Sequence, residues 1–223
     1  MDPRIRSTAQ EQAYSFLRDA ILDGVYPGGT RIDVPAVAQR LGMSRMPVRE
    51  ALRQLDAEGL VTIRPNRGAT VTVLTPADIL EVFEMRAVLE GLAARLAVGH
   101  LDDEAFEDLE RSLSRMERNQ DNTAQWLRHH NDFHELICAR SGRPRLVAQV
   151  RLLRRAVEPY MRVHMGAYAQ QELPGSEHGQ LLTVLRRRAP DQAERAMREH
   201  VERAAIYVVD FLKSVTTSAA DQR

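Results

Sequence analysis

Imidazole nitrogens bind borderline divalent ions, and a helix aims two of them at one point when they stand four residues apart. His130 and His134 have that spacing inside a helical pattern and project from the same face. His178 and His200 lie further along, each within a later helical stretch. Helices packed in a bundle can converge such side chains on one interior point. Three or four nitrogen donors there suit a divalent metal ion, Zn2+ or Ni2+ first. The bland alternative is a set of unrelated histidines, at the surface or hydrogen-bonded in the core. His100 and His164 are read that way. Arg86 stands in an otherwise apolar helical stretch. A guanidinium there can bind the carboxylate of an effector bidentately, or close an internal salt bridge, for instance to Glu90; both readings stay open. Arg151, Arg154 and Arg155 are read as a solvated helix face, Cys138 as a small core residue, and Trp126 and Tyr160 as core or pocket lining.

A metal with open positions can also hydrolyse substrates. No Glu has the general-base placement of an HExxH helix, so the chain is not read as an enzyme; the residual alternative is a metal-dependent hydrolase.

A second constellation is made of arginine. Arg45, Arg49 and Arg53 recur every fourth residue and share the exposed side of one predicted helix. Ser44 precedes them as N-cap, and Pro47 sits in the first turn, where a missing N–H costs little. The major groove of B-DNA admits one helix and is read from that helix's first turns. The Ser44 hydroxyl and the helix N-terminus can hold a phosphate, while Arg45 and Arg49 reach guanine edges or phosphates. A turn at Pro65-Asn66-Arg67-Gly68 offers Asn66, Arg67 and Gly68 to the adjacent backbone or minor groove. The alternative is an ordinary helical domain with a solvated arginine face.

These groups need a scaffold. Tyr14, Leu17, Ile21 and Leu22 predict a first helix that stops at Gly24, and Asp33 caps a second with Val37, Ala38 and Leu41 on its apolar side. Val48, Leu52 and Leu55 bury the third helix, the one that carries the arginines. After Gly59 the pattern alternates: Leu60–Arg64 reads as a strand and Ala69–Val73 as its return. Three helices and a hairpin over residues 8–75 form a winged helix-turn-helix. Thr75-Pro76-Ala77-Asp78 then starts a helix to about Gly99. Further helices are expected near 102–118, 122–140, 144–168, 175–187 and 190–213, with a kink at Pro159. The fold class is therefore mainly α: the winged domain, then an antiparallel all-α bundle of about six helices over 76–213, then a frayed tail over 214–223.

Composition narrows the partners. The 223 residues hold 31 basic and 31 acidic side chains, which excludes a chain that is basic throughout and confines any DNA contact to a local patch. One cysteine excludes a disulfide framework and a cysteine-based zinc site. No apolar run approaches the roughly 18 residues of a membrane span, and the N-terminus lacks the apolar stretch of a signal peptide. A soluble, cytoplasmic protein with no membrane partner is expected.

The run from Pro27 to Val71 resembles the DNA-binding domain of the GntR family of bacterial transcription regulators. Its most specific part is Ser44-Arg45-Met46-Pro47-Val48-Arg49-Glu50-Ala51-Leu52, in which Met46 replaces the family's usual small hydroxyl residue. Residues 78–213 are similar to the FCD ligand-binding domain of the FadR subfamily in its shorter, six-helix form. Val82 to Glu90 carries the likeness at the start, Phe133-His134-Glu135-Leu136-Ile137 matches the metal-binding helix, and His178 and His200 match the two later ligand positions. Many members have Asp or Asn where this chain has His130. That departure leaves His130, His134, His178 and His200 as four candidate imidazoles with no carboxylate, a set less suited to Mn2+ or Mg2+. Asp132, two residues away, should face elsewhere. The resemblance implies a homodimer joined through the helical domain, binding a short inverted repeat of double-stranded operator DNA. It also implies a repressor released by a small organic acid at the metal. A regulator with a purely structural metal and no effector is the main alternative; acyl-CoA sensing without metal conflicts with the histidine set.

Overall fold

The computed structural model describes residues 7–168 and 175–220. The chain divides into two compact units, Met1–Leu74 and Thr75–Arg223.

In the first unit, α1 (Ala9–Leu22) begins with a capping box. The Thr8 hydroxyl accepts the Glu11 N–H at 3.2 Å, and the Glu11 carboxylate accepts the Thr8 N–H at 2.7 Å. α2 (Val34–Arg40) is capped by Asp33, which accepts the Ala36 N–H. α3 (Arg45–Ala57) follows after Gly42, whose φ of 63° makes the turn. β2 (Val61–Arg64) and β3 (Gly68–Val71) pair antiparallel, with Val61 opposite Val71 and Arg64 opposite Gly68. A strand the sequence did not announce, β1 (Arg31–Ile32), adds to the other side of β3, giving the order β1-β3-β2. Two residues are too few to show alternation. The core gathers Leu17 and Ile21 of α1, Val37 of α2, Val48, Leu52 and Leu55 of α3, and Ile32, Val61 and Val71 of the sheet.

The second unit holds α4 (Pro76–Ala97), α5 (Asp103–Arg118), α6 (Thr123–Ala139), α7 (Pro144–Tyr168), α8 (Gly175–Arg186) and α9 (Pro190–Ala220). Thr75 and Asp78 form the capping box of α4. α4 is the central helix and packs against α6, α7 and α9. It meets α9 tightly at Gly91, where a Cβ would lie 2.5 Å from Arg198 Cγ and 3.2 Å from the Glu194 carbonyl oxygen. Pro159 lies inside α7, which is helical on both sides of it. α9 runs seven residues past its expected end at 213, so most of the expected tail is helix. No Gly or Pro interrupts residues 191–220, and the helix propagates. The rest of that tail, 221–223, lies outside the described residues.

Candidate metal centre and nucleic-acid interface

The two helical turns between Trp126 and His134 point inward because Trp126, Leu127, His130, Phe133, His134 and Ile137 form one buried face of α6. His178 enters from α8 and His200 from α9. One ligand atom from each of His130, His134, His178 and His200 lies within 4.8 Å of the others. All four are buried, at 7%, 1%, 3% and 5% exposure. His134 Nε2 and His200 Nε2 are 3.3 Å apart. The ring of His178 stands edge-on to that of His200, with centroids 4.6 Å apart.

Carboxylates back two of these rings. His134 Nδ1 lies 3.2 Å from Glu90 Oε2, and His200 Nδ1 lies 3.7 Å from Glu177 Oε2. Neither contact is aligned as a hydrogen bond. An acceptor on Nδ1 fixes the tautomer that leaves Nε2 free to ligate. Burial pushes the His134 imidazole down to about 3 against the pull of Glu90. Burial also holds His130 well below the ordinary value, helped by the neighbouring rings of His134, His178 and His200. Buried, converging imidazoles are the donor set a borderline divalent ion needs. The residues present fit such an ion.

Glu90 is fully buried between two guanidiniums. It accepts from Arg86 Nε at 2.9 Å and from Arg154 at 2.5 Å (Nη2) and 3.2 Å (Nε). Burial opposes its ionisation, yet Arg154 and Arg86 outweigh that and hold it well below the usual carboxylate range. The two arginines fare differently. Arg154 makes two bonds to Glu90, and that attraction overcomes burial and raises its pKa. Arg86 makes one, so burial wins and its pKa falls. The Arg86 guanidinium also stacks on Phe83 at 4.5 Å. Arg86 thus forms the internal pair with Glu90, and two buried cations face one buried anion. Arg154 corrects the expectation of a solvated face: Arg151 is exposed and pairs with Glu135, but Arg154, three residues on, turns inward. Cys138 is a buried free thiol, as expected, pushed up to about 12 by burial. Asp132 is exposed, with its carboxylate 3.7 Å from His129. His164 is buried against Phe211, and His100 is exposed.

In the first unit, Ser44, Arg45, Arg49 and Arg53 are all exposed on α3. Ser44 holds the N-cap position, but its hydroxyl makes no cap bond to its own helix. Arg53 is committed to Glu50 at 2.6 Å. Asn66, Arg67 and Gly68 are exposed at the tip of the β2–β3 hairpin. Gly68 is explained by its φ of 79°, a region L side chains avoid; Asn66, at φ 60°, tolerates the same region. A Cβ at Gly68 would meet Arg31 Nε at an ordinary 3.5 Å. Arg31 of β1 therefore lies beside the wing tip, an addition to the basic surface that the sequence did not reveal. Arg154 and Glu177 were not expected to join the site, whereas Glu90 was expected as a partner for Arg86. Glu90 alone carried a signal: it stands four residues after Arg86 in an apolar stretch.

Comparison with known proteins follows this division. The family model described as "Bacterial regulatory proteins, gntR family" matches residues 9–71. The model described as "FCD domain" matches residues 81–203, more than half of the chain. The HTH-type transcriptional regulator YdhC of Bacillus subtilis is 34% identical over 129 residues, 56% of this chain. The matched stretch spans little more than half, 58%, of that relative's length. The HTH-type transcriptional repressor RspR of Escherichia coli is 26% identical over 196 residues, covering 86% of this chain and 85% of the relative. Both are named as regulators of transcription. Among solved structures, E. coli McbR/YncC superposes with a TM-score of 0.76 over 93% of this chain and 100% of its own; at 22% identity that likeness concerns the fold. No described helix is long and apolar enough to cross a membrane.

Proposed function

Because this chain belongs to the gntR family of bacterial regulatory proteins and carries an FCD domain, we propose that it is a cytoplasmic repressor whose hold on DNA a small organic acid releases. The observation that carries the proposal is the convergence of His130, His134, His178 and His200 to within 4.8 Å in a buried site. They hold a divalent ion, Zn2+ or Ni2+. When bound, that ion offers a carboxylate a Lewis-acidic position. The protein supplies the rest. Glu90 and Glu177 orient His134 and His200, and Arg86, with one bond to Glu90 and a buried charge to satisfy, receives the anion.

DNA is bound by α3 and the wing. Arg45 and Arg49 read the major groove, Ser44 and the N-terminus of α3 hold a phosphate, Arg53 contacts the backbone from its pair with Glu50, and Asn66, Arg67 and Gly68 track the neighbouring strand. One such domain covers a half-site, so a second copy is required for an inverted repeat. Met85, Val88 and Leu92 form an exposed apolar stripe along α4, and we assign the homodimer contact to that stripe in the helical unit. The organic acid must prefer one of two arrangements of the dimer to change operator affinity.

The test is operator binding by the Zn2+-loaded protein, against a panel of mono-, di- and tricarboxylates, before and after chelation. At least one acid should weaken binding about tenfold, and chelation should abolish its effect. Operator affinity that ignores every acid would favour the second reading, a purely structural metal with no effector.

A further inference from the structure

We propose that Met46 reads the C5-methyl group of a pyrimidine, thymine before 5-methylcytosine, in the major groove, and so adds an apolar determinant to the arginines of α3. The proposal rests on reading α3 as the helix that enters the groove and deepens it.

The face that α3 turns outward is defined by what it buries. Val48, Ala51, Leu52 and Leu55 are at most 3% exposed and hold the helix against the core. At about 100° per residue, Met46 stands nearly opposite the centre of that buried stripe. It is 57% exposed. Arg45 and Arg49 lie to one side of it, and Glu50, tied to Arg53 at 2.6 Å, lies to the other. Met43, three residues earlier, packs against the core of the unit, whereas Met46 does not join it. Met46 is thus the outermost side chain of the first turn, with the arginines along its flank.

The first turns of a reading helix meet base edges. A side chain centred on the outward face points at the floor of the groove, and those at the margins of that face also reach its phosphate walls. Met46 offers only a weak thioether acceptor, so it cannot choose among bases by hydrogen bonds. The apolar feature of that floor is the methyl group at C5 of thymine, and 5-methylcytosine carries the same group at the same atom. Three rotatable bonds and a polarizable sulfur let the side chain settle on that methyl. Over an unmethylated cytosine or a guanine, the same side chain would cover an amino or carbonyl group and leave it without a partner, which is unfavourable. Met46 therefore favours a methylated pyrimidine both by contact and by the cost of the alternatives.

The experiment uses the full chain and duplexes that it selects from synthetic random-sequence DNA, which carries no 5-methylcytosine. Within one half-site, each thymine is replaced in turn by deoxyuridine, which removes only the methyl group. Each cytosine is replaced in turn by 5-methylcytosine, which adds only that group. Binding is read by fluorescence anisotropy for the parent, Met46→Ala and Met46→Leu. In the parent, deoxyuridine at one thymine should weaken binding about fourfold, the effect of one buried methyl group. Met46→Ala should bind the unmodified duplex about fourfold or more weakly and lose the response to deoxyuridine at that thymine alone. Met46→Leu, apolar and of similar reach, should keep it. A gain at a 5-methylcytosine that Met46→Ala abolishes, with no sensitive thymine, supports the same methyl contact and assigns it to the other base. Because Met46 lies outside the core, the thermal unfolding midpoint of Met46→Ala should match that of the parent. A deoxyuridine penalty of equal size in the parent and in Met46→Ala, or a parent indifferent to every methyl group added or removed, overturns the proposal. A parent that selects no sequence overturns the assignment of α3 as the reading helix, a result distinguishable from the first.

Discussion

Among the described residues, Glu90 is the only carboxylate bonded to both buried guanidiniums, and its replacement by Ala removes it. Arg86 and Arg154 are 4% and 9% exposed, and Glu90 is 0% exposed, so water cannot take over the lost partner without opening the bundle. Three bonds from arginine nitrogens end on this carboxylate, at 2.5–3.2 Å. Removing one member of a buried ionic set costs about 3–5 kcal/mol, most of it the penalty for charges left behind. For a unit of this size that is a fall of roughly 6–20 °C in the midpoint of thermal unfolding. Trp126 is the sole tryptophan and lies in α6, so its fluorescence follows the helical unit selectively. Circular dichroism at the same temperatures covers the whole chain. Metal affinity should fall as well, by about tenfold to a hundredfold, since His134 loses its orienting acceptor. Combining Glu90→Ala with Arg154→Met should recover part of the stability, because one stranded charge is then gone. A midpoint within about 3 °C of the parent, or a double variant as unstable as the sum of its parts, would refute the reasoning that this network is a coupled buried charge set.

Three further outcomes follow from named contacts. Arg49→Ala should weaken operator binding about tenfold or more and relax the preference at one base pair, whereas Arg67→Ala should weaken all sequences alike and flatten the salt dependence by about one unit of slope, both measured by fluorescence anisotropy across a salt series. Gly91→Leu should destabilise the helical unit by about 1–3 kcal/mol in chemical denaturation, because any Cβ there collides with α9. In the presence of chelator, stability should be full above pH 6.5 and fall as the pH drops below it. The unfolded histidines protonate near 6.5 while His130 and His134 stay neutral in the fold, His134 down to about 3. The unfolded chain then binds more protons, at about 1.4 kcal/mol per pH unit for each such histidine. Glu90 stays ionised across that window, so denaturation midpoints equal at pH 7.5 and 5.5 would contradict the burial of neutral imidazoles.

The helices were legible because their signals are local. Thr75, Pro76 and Asp78 announce α4, and Gly42 separates α2 from α3, within a few residues of sequence. His130 and His134 were legible as a pair for the same reason, since one helical turn sets their spacing. What brings His178 and His200 to them is the packing of α8 and α9 against the bundle, which spacing alone left open and resemblance suggested. The charge network was hidden by a different cause. Arg151, Arg154 and Arg155 lie in one turn of α7, and their order says nothing about which of them meets a carboxylate on α4. β1 escaped because two residues pair only through the tertiary approach of Arg31 to Thr70. The end of α9 escaped because small polar residues are compatible with a helix and with a tail alike.

The most direct test of the account is elemental analysis of chain purified without chelator or an affinity tag of histidines, beside the His178→Ala/His200→Ala double variant. The parent should hold about one equivalent of Zn or Ni per chain, as a four-histidine site requires, and the variant should lose it. A parent that holds no metal even after incubation with Zn2+ and Ni2+ would contradict it, and the four buried histidines would then be a packed core without a bound ion.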